Sequence, residues 1–167
     1  SYTITPTVGT LTANNYSFSY ATGSLAVAQK ALTVTGSSVT TKTYDGTTAA
    51  TITGGTLVGV VNSDAVSLTQ AGTFASANYS ASAISVTASD SLSGAKAGNY
   101  TLTQPTGLSG TINKAVLTVT ADNKNITYGD LIPTLTATIT GYVNSESSSV
   151  LGGAASITTG AVRYSDV

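Results

Sequence analysis

Apolar and small polar residues alternate along most of this chain. LTVT occurs from Leu32 to Thr35 and again from Leu117 to Thr120. AISVTAS runs from Ala83 to Ser89, and TLTATIT from Thr134 to Thr140. A period of two built on Thr, Val and Ile predicts half-buried β-strands, with one face on a core and the other in water. No stretch places apolar residues at the three-and-four spacing of a helix. Glycine breaks the pattern often, at Gly54-Gly55, Gly94, Gly98, Gly107 and Gly152-Gly153. The expected fold is all-β, with many short strands.

The chain also repeats itself. NYSFSYATGSLAVAQKA (Asn15 to Ala31) lies over NYTLTQPTGLSGTINKA (Asn99 to Ala115) without a gap, an offset of 84 residues. Tyr44 and Tyr128 stand at the same offset, and LTVT follows the Lys-Ala pair in both copies. A tight turn recurs too: KTYDGTT (Lys42 to Thr48) and NITYGDL (Asn125 to Leu131) each set a tyrosine before an Asp/Gly turn, where glycine tolerates φ > 0. Agreement at one offset predicts tandem β modules. Each module starts after Lys-Ala and closes on the next NY…G…K segment. Residues 31–115 are then a complete module, 1–30 the C-terminal half of a preceding one, and 116–167 the N-terminal half of a following one. The expected architecture is a string of small antiparallel β-sandwiches, immunoglobulin-like or β-grasp-like. The half modules suggest an array in which a neighbouring copy completes each open sheet.

Composition narrows the chemistry. Charged residues are 8% of the chain, against about 25% in an average soluble domain. The cations Lys30, Lys42, Lys96, Lys114, Lys124 and Arg163 are scattered, whereas phosphate binding needs a basic patch, so no nucleic-acid partner is expected. No apolar run approaches the roughly 20 residues of a spanning helix, and no membrane insertion is expected. No basic, apolar leader opens the chain at Ser1, which reads as a mature chain or an internal piece. Histidine, cysteine, methionine and tryptophan are absent. Disulfides, thiolate or imidazole metal sites and His- or Cys-based catalysis are therefore excluded, and no enzyme, catalytic, cofactor or metal residue is expected. A chain without oxidisable sulfur and with few Lys or Arg cleavage points suits an extracellular setting.

Remaining candidates favour structural roles. The acids Asp45, Asp64, Asp90, Asp122, Asp130, Glu146 and Asp166 lie far apart, unlike a calcium loop, and read as solvated turn formers; Asp122 and Asp130 are the pair that a turn brings closest. Tyr44 and Tyr128 are expected to cover module ends, with their hydroxyls on nearby backbone rather than stacking on a ligand. Lys30 and Lys114, set against Asn15 and Asn99, have the residue types of an isopeptide pair but no identified acid beside them, and read as ordinary junction lysines. Asn15, Asn78, Asn99 and Asn125 head N-glycosylation triplets, a weak signal in so Thr-rich a chain. Paired threonines (Thr33/Thr35, Thr51/Thr53, Thr118/Thr120 and Thr134 through Thr140) are expected on outward strand faces; ice binding, which wants a regular flat ladder of them, is a remote alternative.

ALTVTGSSVTTKTYDGTTAATITGG, followed by LVGVVNSDAVSLT and GNYTLTQPTGLSGTINKA, resembles the YDG-type repeat of large bacterial surface proteins. LTVTADNKNITYGDLIPTLTATITGYVNSES is similar to the start of the companion MBG repeat, and SYTITPTVGTLTANNYSFSYATGSLAVAQKA to its closing half. The likeness covers essentially the whole chain. It implies an extracellular, cell-surface stalk of the filamentous-haemagglutinin-like adhesin kind, in surface attachment or biofilm cohesion, with neighbouring copies of the repeat as partners. It carries over no catalytic residue. A glycan- or receptor-binding module is the alternative, with surface glycans as partner and the loop from Gly141 to Gly153 as the candidate contact; its mark would be a pocket lined by aromatics and convergent polar groups.

Overall fold

The structure is a computed structural model and describes residues 1–163. Sixteen strands follow one another along the described residues, with two short 3-10 turns as the helical content. Two come first, β1 (Tyr2–Ile4) and β2 (Gly23–Leu25). The central unit opens with β3 (Lys30–Thr35), β4 (Ser38–Val39), β5 (Lys42–Thr43), β6 (Ala49–Ala50), β7 (Ile52–Thr53) and β8 (Thr56–Val58). It continues through β9 (Ser67–Thr69), β10 (Gly72–Phe74), β11 (Ser80–Ala88), β12 (Ser91–Ser93), β13 (Tyr100–Thr103) and β14 (Ser109–Asn113). Then come β15 (Thr118–Ala121) and β16 (Ala137–Thr140).

Residues of period-two sequence do form strands, and the threonines do face out. In β11, Val86 and Ala88 are buried while Thr87 is exposed, and Thr33, Thr35, Thr51 and Thr53 are all exposed. The central unit is held by a five-stranded sheet in the order β5-β14-β11-β10-β6. Ala50, Ile52, Phe74, Val86, Ala88 and Ile112 form its buried core, against which Val39, Tyr44, Ile84 and Leu108 pack. Phe74 is 1% and Ile112 0% exposed; removing side chains of that kind from water contributes roughly 1.5–3 kcal/mol each. A second sheet, β13-β3-β8, buries Leu32 and Tyr100.

Two expectations need correction. The sheets are mixed rather than purely antiparallel, because β13 pairs parallel with β3 and β14 parallel with β5. Both pairings bring the end of the central unit alongside its beginning, so the unit closes on itself through strands some 70 residues apart (Tyr100 opposite Lys30). Alternation encodes faces and not partners, so no period could reveal this.

The 84-residue offset is also not a rigid structural period. The pair β3–β8 recurs as β15–β16 in the same register: Thr33↔Val58, Val34↔Leu57 and Thr35↔Thr56 become Thr118↔Thr140, Val119↔Ile139 and Thr120↔Thr138. From Thr33 to Thr118 the shift is 85 residues; from Val58 to Thr140 it is 82. Small insertions and deletions are absorbed in the loops between strands that keep their pairing.

Outside the central unit the structure is sparse. Residues 1–29 are exposed throughout, and their strand pairing is that of β1 with β2. In the C-terminal stretch the β15–β16 pair stands by itself among the described residues.

Candidate functional site

The KTYDGTT turn is a closed polar knot. Lys42 Nζ sits 2.7 Å from Asp45 Oδ1 and donates to Thr47 O at 2.9 Å and Ala49 O at 3.1 Å. Asp45 Oδ1 accepts the Thr47 amide at 2.8 Å and its hydroxyl at 2.9 Å, an Asx turn completed by Gly46 at φ +75. Lys42, followed by the Thr47 donors, holds the Asp45 carboxyl down to about 2. The strand leading in, β5, lies on β14, and the Tyr44 amide donates to Asn113 O at 2.8 Å. The turn is thus anchored to the sheet that carries the core.

Its tyrosine points the other way along the chain. The Tyr44 ring packs on the central core while its hydroxyl donates to Glu146 Oε1, in the C-terminal stretch. The expected backbone partner is therefore corrected: the acceptor is a carboxylate of the next unit. The hydrogen bond to Glu146, followed by partial burial, raises the Tyr44 pKa above its usual value. Gly46 faces the same turn from the other side. A Cβ on it would lie 2.4 Å from Asn144 Cβ, so the turn needs glycine both for its φ and for room. Tyr128, the partner expected at an equivalent position, is 62% exposed, so the two tyrosines do not occupy equivalent settings.

Glu146 belongs to a second, shorter repeat. GYVNSE (Gly141 to Glu146) repeats GVVNSD (Gly59 to Asp64). In both, the Asn-Ser pair has φ > 0, at 51 and 51 for Asn62 and Ser63 and 52 and 60 for Asn144 and Ser145. Each turn closes with the acid's amide donating to the valine carbonyl at 2.9 Å (Asp64 to Val61, Glu146 to Val143). These are type I′-like turns with serine where glycine is usual, which hides them from a search for Asn-Gly. Each presents its acid to a tyrosine: Tyr100 Oη donates to Asp64 Oδ2 at 2.7 Å and accepts from the Val61 amide at 3.2 Å. Tyr100 is also pushed above the usual tyrosine pKa, first by Asp64.

The other acids divide. Asp90, expected in solvent, is 6% exposed. Its Oδ1 accepts the Ala71 amide at 3.1 Å, and its backbone exchanges 2.8 Å hydrogen bonds with the Gln104 side-chain amide. Asp122 and Asp130 hold different partners. Asp122 accepts from Thr136 at 2.6 Å and Thr138 at 2.8 Å, which lower its pKa, and Asp130 accepts from the Thr127 amide at 3.3 Å. Asp166 lies outside the described residues. Among the described residues no three acids gather as a metal site would require. Lys114 lies 4.8 Å from the Tyr79 ring centroid, a cation–π contact. Asn15, Asn78, Asn99 and Asn125 are all exposed.

Between the central unit and the C-terminal stretch opens a cleft of about 380 Å³, whose lining includes Tyr44, Tyr79, Lys114, Tyr142, Val143 and Glu146. A larger hollow, of about 780 Å³, lies between the N-terminal stretch and the central unit, with Lys30, Val61, Asp64 and Tyr100 in its wall. Both are junctions between units, and both are built on the valine and the acid of a VNS-acid turn.

Family models place these units. Residues 28–107 match the YDG domain, and residues 117–167 match the MBG domain of the YGX type. The chain thus carries a YDG domain match and, in tandem after it, an MBG domain match. Comparison with curated proteins and with solved structures finds no match. The folded YDG unit reaches beyond the matched span, since β14 and the fully buried Ile112 complete its core.

Proposed function

We propose that this chain is a structural repeat unit of an extracellular bacterial fibre or adhesin stalk, serving surface attachment or biofilm cohesion. The YDG and MBG domains act as rungs of a tandem array of small β-sandwiches, joined head to tail, in which neighbouring copies of the repeat are the partners. The observation that carries this reading is the joint. Tyr44 and Gly46 of one domain seat on Glu146 and Asn144 of the next, so the very turn that gives the YDG domain its signature is spent on holding its neighbour. Such an arrangement suits an extended rod, because a hydrogen-bonded joint resists bending between rungs. The low charge and outward threonines give a hydrated, weakly charged surface along the rod. The unit is read as a scaffold and not as an enzyme.

Antibodies raised against the chain test this on the cells that make it. Labelling of intact, unpermeabilised cells that disappears on brief protease treatment is the expected result. Labelling confined to lysed cells overturns the reading.

A second reading rests on the cleft, where Tyr44, Tyr79 and Tyr142 stand near Lys114 and Glu146. Aromatic faces with polar groups between them suit a sugar ring. Saturation-transfer NMR with surface glycans, compared between the wild type and Tyr79→Ala, tests it.

A further inference from the structure

Among the described residues the MBG-like sheet has two strands, against three in the matching YDG sheet. In the YDG domain β3 lies between β8 and β13. In the C-terminal stretch β15 and β16 reproduce β3 and β8 in register, and among the described residues no strand pairs with the other edge of β15. The consequence is visible in the strand itself. Lys30, Ala31 and Leu32 are strand because Tyr100, Thr101 and Leu102 lie beside them. Their counterparts Ala115, Val116 and Leu117 are not strand. Leu32 is 0% exposed, whereas Leu117 is only half-buried. Val34 is half-buried, but its counterpart Val119 is 52% exposed.

The third strand has a sequence, and this chain carries it. NYTLT, whose last four residues form β13, matches NYSFS at Asn15 to Ser19. That segment forms no strand where it stands, and Tyr16 is 80% exposed while its counterpart Tyr100 is 5% exposed. We infer that the open edge of β15 is the docking site for residues 15–19 of a second copy of this chain, which adds as a parallel strand. The register follows from the YDG sheet: Tyr16 opposite Ala115, Ser17 opposite Val116, Phe18 opposite Leu117 and Ser19 opposite Thr118. Phe18 then covers Leu117 as Leu102 lies beside Leu32. Tyr16 enters the cleft beside the VNSE turn, its hydroxyl donating to Glu146 and accepting from the Val143 amide, as Tyr100 does with Asp64 and Val61. Tyr44 uses Glu146 Oε1 and leaves Oε2 to receive it. One acid thereby bolts three segments together: the preceding domain, its own turn and the incoming strand.

This deepens the array reading and rests on it for the kind of partner, but its test is separate. The chain has no cysteine, so single cysteines report contacts cleanly, and paired strands place Cα atoms within disulfide reach. Ser17→Cys and Val116→Cys variants are mixed under mild oxidation, with Ser17→Cys and Ala154→Cys as the off-register control. The expected result is a crosslinked heterodimer at least tenfold more abundant than in the control, and a ladder of multimers from the double variant. Equal yields in both mixtures overturn the pairing. Should either variant fail to fold by circular dichroism, amide exchange of the unaltered chain decides: protection of Leu117 that rises between micromolar and millimolar chain supports the pairing, and protection independent of concentration overturns it. With cell-surface labelling intact, that outcome removes strand exchange and leaves the stalk standing.

Discussion

The hydroxyl of Tyr44 donates to the carboxylate of Glu146, 102 residues further along the chain. The ring belongs to the YDG core and the carboxylate to the turn of the MBG domain, so one side chain spans the joint. Tyr44→Phe keeps the ring and removes the bond. The YDG domain is expected to melt almost as the wild type does, while ¹⁵N relaxation shows the two domains tumbling with increased independence. A large loss of YDG stability would instead place the hydroxyl's role inside that domain.

Gly46 makes the same joint possible from the other side. Gly46→Ala forces a Cβ onto Asn144 Cβ and an L side chain into φ +75. The conformational part alone costs about 1–2 kcal/mol. Denaturant unfolding is expected to show that loss in the YDG domain, with chemical-shift changes reaching Asn144 and Glu146. Shifts confined to residues 42–48 would contradict a seated joint.

Two pH dependences follow from the turn and the joint. Asp45 has a folded-state pKa of about 2, lowered from an ordinary value near 3.9. Its stabilising contribution is therefore complete above about pH 4 and is lost as pH falls towards 2. Asp45→Asn should flatten that part of the acid stability profile. Tyr44 is raised by Glu146, so its contribution is complete below the ordinary tyrosine value of about 10 and is lost as pH climbs through the higher folded value. Ultraviolet titration of tyrosinate, wild type against Glu146→Gln, is expected to bring Tyr44 back towards its ordinary value.

The two domains should answer core truncation unequally. Phe74→Ala removes a side chain that is 1% exposed and is expected to cost about 3–5 kcal/mol. Val119→Ala, at a site 52% exposed, should cost no more than about 0.5 kcal/mol in the isolated chain. Urea melts of both variants check the contrast.

Ser63 and Ser145 occupy left-handed backbone, at φ 51 and 60, in turns that glycine would fit without strain. Ser63→Gly is expected to stabilise the YDG domain by up to about 1 kcal/mol. A higher urea midpoint with an unchanged slope is the result to look for.

How far the fold was readable depended on where each feature is written. Strand faces were legible, because alternation such as Val86-Thr87-Ala88 is a local consequence of the pleat. The Asp45-Gly46 turn was legible too, since glycine at φ > 0 is a local demand. The parallel pairing of β3 with β13 was not, as nothing in Lys30 to Thr35 names a partner 70 residues away. The joint was half visible. Its tyrosine was singled out, but Glu146 looked like one more solvated acid, because Asn144-Ser145 lacks the glycine that usually marks such turns. The repeat of GVVNSD as GYVNSE was the available clue, hidden by its 82-residue spacing against the 84 of the other matches. The burial of Asp90 is not written locally for a related reason: its neighbours Ala71 and Gln104 are near only in the fold.

The central claim is that consecutive domains are locked into a rod by the tyrosine–acid joint. Residual dipolar couplings on the intact chain test it most directly, measured for amides of the YDG domain and of the MBG domain in one aligned sample. A single alignment tensor shared by both domains, lost in Tyr44→Phe, is the predicted result. Two tensors of different magnitude in the wild type would mean that the domains move as beads on a string, and would contradict the account.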